Sequence, residues 1–172
     1  MDNEIEKKFI QQFIVKNIRE RLLFELSGKK RQDGIGRFCH NADDLLLKEK
    51  IILSGKELFH NEIVKTVEKY DLSKQWYIIA YNPIFDKKIC KLSEALNLVL
   101  GNGMAAIIVS DNIAIIETEQ CFGTPMRYIC YTKFRFILVT ILSYHGFFVN
   151  INVHSAFGFN LVLTNLRCWG KI

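Results

Sequence analysis

Glu117 and Glu119 stand two residues apart in an extended run and share a strand face with Ile113 and Ile115, so an apolar face turns acidic at its end. Paired carboxylates in a low-dielectric cleft can hold a divalent ion, and Asp111 six residues upstream of Glu117 offers a third oxygen ligand. That is the donor chemistry of a metal-dependent phosphodiesterase or nuclease. A strand that leaves the core and meets solvent writes the same pattern, and no Lys follows at the offset such nucleases use. Arg127, in the next extended run, is placed to pair with one of the two glutamates.

A second chemistry is written between Lys29 and His40. Three cations, Lys29, Lys30 and Arg31, precede Gly34-Ile35-Gly36-Arg37, and glycines let backbone N–H groups approach an anion that Arg37 can bind with two parallel hydrogen bonds. Arg31, Arg37 and His40 are therefore the candidate anion-binding residues of an anion or nucleotide sensor. The spacings of a Walker loop and of a dinucleotide fingerprint are both absent, so a solvated inter-helix turn is the competing reading and no cofactor is implied. Cys39-His40 beside Asp43 and Asp44 could suggest an activated thiolate or a metal site. Adjacent residues do not place a base on the sulfur, however, and His40, His60, His145 and His154 show no metal-ligand spacing.

These residues need elements to hold them. Ile5, Phe9, Phe13, Ile18, Leu22 and Leu26 recur at helical steps and predict one amphipathic helix ending at Ser27-Gly28. Asn41 predicts a cap for a short second helix, and the box Ser54-Gly55-Lys56-Glu57 predicts the start of a third that buries Phe59, Ile63, Val67 and Tyr70 and ends near Asp71. Trp76 to Tyr81 reads as a buried strand closed by Asn82-Pro83. Ser93 caps a fourth helix through Leu100. Runs at Ala105 to Val109 and Ile113 to Glu119 form a hairpin around Asp111-Asn112, and Met126 to Tyr131 adds a further strand. Helices first and strands later give an α+β domain over residues 1–131, its N-terminal helices packed on a mainly antiparallel sheet.

Residues 132–172 differ in composition. Phe136 to Leu166 contains no charged residue, and alternation at Val149, Ile151 and Val153 predicts strands near 134–142, 147–154 and 157–165, joined to the same sheet. Pairing of these strands between copies is the route to a homo-oligomer. The rival reading, a membrane span, meets an apolar run near 14 residues where about 20 are needed; an appended or out-of-frame tail is the third reading.

The net charge of +5 does not mark a nucleic-acid surface. All 18 acidic residues and 19 of the 23 basic ones fall within 1–131, which carries +1, and the remaining cations are scattered. The 21 aromatic side chains could stack on bases, but core packing accounts for them better. Five unpaired cysteines and a charged opening sequence without an export pattern predict a reducing, cytoplasmic setting. The function expected by elimination is a non-enzymatic binding protein, a small bacterial or phage partner that neutralises or regulates another protein.

Overall fold

The computed structural model describes residues 2–71, 73–120, 123–132, 141–142 and 148–149. The chain opens with α1 (Asp2–Phe13), whose Phe9, Ile10 and Phe13 are buried. The single long helix expected from the periodicity is interrupted at Ile14-Val15. Two β-branched residues there favour extended backbone, and Ile14 forms a bridge to Leu46 while the Val15 N–H donates to the Leu45 carbonyl at 3.0 Å. Arg19 Nε takes up the Ile14 carbonyl at 2.8 Å, and α2 (Arg19–Ser27) resumes beyond one 3₁₀ turn.

The expected loop 29–40 is largely helical: α3 spans Arg31–His40 despite Gly34 and Gly36. Gly34 is there because α2 crosses so closely that a Cβ at this position would lie 2.9 Å from Cβ of Glu25. Asn41 does not cap the short α4 (Ala42–Leu45) through its side chain. It closes α3 instead, its Nδ2 donating to the Arg37 carbonyl at 2.8 Å.

The Ser54 box is also overturned. Ile51-Ile52-Leu53 takes Ser54 and Gly55 into strand β1 (Ile51–Gly55), and α5 (His60–Val67) begins later, where Glu62 accepts the Phe59 N–H at 3.3 Å. Then follow β2 (Trp76–Ala80), the short β3 (Ile89–Cys90), α6 (Leu92–Val99), β4 (Ala106–Val109), β5 (Ile113–Glu117) and β6 (Arg127–Tyr131). Ser93 lies inside the first turn of α6 and makes no cap bond.

The class is α+β, as expected, and the six strands form a sheet in the order β1-β6-β5-β4-β2-β3 with every neighbouring pair antiparallel. Both faces are covered. Tyr77, Ile79, Ile107, Val109, Ile116 and Cys130 meet Phe9, Phe13, Ile35 and Phe38 of the N-terminal helices. Trp76, Ile78, Ile108, Ile113, Ile115 and Ile129 meet α5 and α6 through Ile63, Val67, Leu96 and Val99. Burial on both sides is why the central strands read as unbroken apolar runs instead of alternating ones.

The chain divides into two compact units at Lys133. In the second, β7 (Ile141–Leu142) pairs antiparallel with β8 (Phe148–Val149). The rest of the expected strands 134–142 and 147–154, and all of 157–165, lie outside the described residues. No helix among the described residues is long and apolar enough to cross a membrane.

Candidate functional site

The register carries one row of residues across five strands: Gly55, Arg127, Glu117, Ala106 and Ala80 are successive cross-strand partners. Glu117 therefore ends β5 in the middle of the sheet, and its side chain is sealed there. Arg127 Nε donates to Glu117 Oε2 at 2.6 Å, the Gly101 N–H donates to Oε1 at 3.1 Å, and Arg127 Nη1 reaches the Leu58 carbonyl at 2.7 Å. Burial lifts the Glu117 carboxyl above the ordinary range, against the opposing pull of Arg127 and the Gly101 N–H.

The other proposed metal ligands are not beside it. Glu119 is exposed beyond the strand end, and Asp111 lies in the turn at the opposite end of β5, roughly 20 Å away at the rise of a strand, paired with Lys8 Nζ at 2.6 Å. Among the described residues no group of three or more His, Cys, Asp or Glu side chains is arranged to hold a metal ion. The expected pairing of Arg127 with one of the glutamates is present, and it closes the carboxylate to outside ligands.

The anion-binding candidates separate in the same way. Arg31 is buried and commits four of its five N–H groups: two to Asp86, at 2.6 and 2.9 Å, one to Glu6 at 2.7 Å and one to the Leu26 carbonyl at 2.7 Å. Glu6 also accepts the Tyr77 hydroxyl at 2.7 Å, so this cluster clamps α1 and α3 to β2 and the loop after it. His40 is exposed at the end of α3. Cys39, buried against the sheet, has its thiol pushed up by burial and by the negative field of Glu117 and Glu119, which removes it as a nucleophile.

Arg37 lines a concavity. A groove of about 260 Å³ runs between α2, α3 and α4, with an apolar floor of Ile18, Leu22, Phe38 and Leu45. On its wall Arg21 Nε and Arg37 Nη1 converge on one oxygen, Oε1 of Glu25, at 2.9 and 3.1 Å. Asp44 lines the same groove and pairs with neither guanidinium. Nothing in the sequence marks Glu25 and Arg21, because their meeting with Arg37 depends on the α2–α3 crossing that Gly34 permits.

A second surface lies just beyond the cross-strand row. Phe59, Tyr81, Ile84 and Met104 sit in the segments that follow β1 and β2 or precede β4, and they expose 63%, 44%, 69% and 44% of their surface. From β1 to β2 the row takes four inter-strand steps, about 19 Å in all. No family model, no curated protein and no solved structure matches the chain.

Proposed function

We propose that this chain is a non-catalytic protein-binding module of the antitoxin or regulator kind, working in the cytoplasm of a bacterium or phage-infected cell, and that it meets its partner at the Glu117 end of the sheet. One observation carries the reading: four large apolar side chains, Phe59, Tyr81, Ile84 and Met104, are exposed in the segments that flank β1, β2 and β4 at that end of the sheet. Exposed aromatic and Met side chains are the residue types that interfaces draw on most for binding energy. At the same end Arg127 holds the Leu58 carbonyl and Glu117 the Gly101 N–H, which ties down the segments carrying Phe59 and Met104.

The test compares two variants in pull-downs from cells that express the protein. Replacing Phe59, Tyr81, Ile84 and Met104 together by Ser is expected to leave the melting temperature within a few degrees and to abolish capture of the partner. Tyr70→Ser at the opposite end, where Tyr70 lies against Tyr131, is expected to retain it. Equal capture by the quadruple variant and the unmodified chain, or no capture by either, overturns the reading.

A further inference from the structure

The groove between α2, α3 and α4 is separate from the sheet end and has a chemistry of its own. Its volume, about 260 Å³, falls just below the roughly 300 Å³ at which drug-sized pockets begin, so its occupant is a small molecule. The floor is aliphatic and aromatic, which demands an apolar body. The wall decides the rest.

Two guanidiniums share a single carboxylate oxygen of Glu25, whose side chain is nearly buried, while Arg21 and Arg37 are exposed. Glu25 thus orients both cations and neutralises only one of them. Their remaining N–H groups have no partner among the described residues, and a guanidinium edge matches a carboxylate with two parallel bonds. Asp44, which forms no ion pair among the described residues, supplies a second negative charge on the lining. Arg21, Arg37, Glu25 and Asp44 sum to zero, so a dianion such as a phosphate would leave the groove with two uncompensated charges. A molecule carrying one carboxylate and one ammonium leaves none.

The geometry points to a site for a small apolar zwitterion, a free amino acid with an aliphatic or aromatic side chain. Arg21 and Arg37 receive its carboxylate, Asp44 faces its ammonium group, and Ile18, Leu22, Phe38 and Leu45 receive its side chain. Gly34 is the residue that makes the site possible, since any Cβ there displaces Glu25 and with it the point on which both cations converge.

Methyl NMR of the full chain reads this directly at Ile18, Leu22 and Leu45. L-leucine is expected to shift these signals saturably, leucinamide, which lacks the carboxylate, to bind about tenfold or more weakly, and 4-methylpentanoate, which lacks the amine, also to bind more weakly. Arg37→Gln is expected to weaken leucine by about tenfold and leave leucinamide unchanged, and Asp44→Asn to erase the preference for leucine over 4-methylpentanoate. The ligand series on the unmodified protein stands even where a variant fails to fold. Absence of shifts up to about 10 mM leucine, or equal binding of leucine with either analogue, overturns the assignment.

Discussion

At the scale of single residues, the charges that drew attention in the sequence are spent on holding the chain together. Glu117 and Arg127 are both buried at the end of adjacent strands, and the price of desolvating the carboxylate exceeds what Arg127 returns, as the upward displacement of its pKa shows. Such a pair stabilises little relative to apolar residues of the same volume, yet breaking it is costly because one charge is left stranded. Arg127→Met is therefore expected to lower the unfolding free energy by about 3–5 kcal/mol, and Arg127→Met with Glu117→Leu to recover most of that loss. Urea denaturation of the two variants measures it. A loss below about 1 kcal/mol in the single variant would mean that Glu117 is solvated and open to ligands after all.

At the scale of elements, the difference between local and distant instructions decided what could be read. Ser54 and Glu57 spell a helix start locally, but the run Ile51-Ile52-Leu53 finds its partner in β6, and pairing with Ile129 and Cys130 overrides the box. Ser54→Ala is accordingly expected to change stability by less than about 0.5 kcal/mol, whereas Glu62→Ala, which frees the Phe59 N–H, is expected to cost about 0.5–1 kcal/mol. Thermal unfolding distinguishes these outcomes, and a larger cost at Ser54 would restore the helix reading. The strands β2, β4, β5 and β6 and the Asp111-Asn112 hairpin were legible because continuous apolar runs and a short turn state themselves without help from afar. The α1–α2 break and the helix α3 were not, since one depends on a bridge to Leu46 and the other on two glycines tolerated for a close helix crossing. The groove followed the same rule: Arg37 stood out in the sequence, as did Asp44 beside Cys39-His40, while Arg21 and Glu25 acquire meaning only when α2, α3 and α4 come together.

At the scale of the first compact unit, the two-sided sheet makes a testable demand on pH. Cys39 on α3 and Cys130 on β6 lie in the same core, between the N-terminal helices and the sheet. Burial pushes the Cys130 thiol from 9.0 up to about 12, and burial together with nearby carboxylates pushes Cys39 up as well. Well below pH 9 both thiols are protonated whether the chain is folded or not, so their contribution is complete. Above it the unfolded chain releases these protons and the folded chain does not, and stability is lost as pH rises toward the folded value, by about 1.4 kcal/mol per pH unit for each thiol. Between pH 9 and pH 10.5 the pair is thus expected to remove about 3 kcal/mol, and the variant with Cys39→Ala and Cys130→Ala to lose correspondingly less over the same interval. Denaturant unfolding under reducing conditions at the two pH values gives the difference. Parallel losses in the variant and the unmodified chain would mean that the helical layer opens far enough at these two points for thiolates to form without unfolding, which a core continuous from Phe9 to Cys130 does not allow.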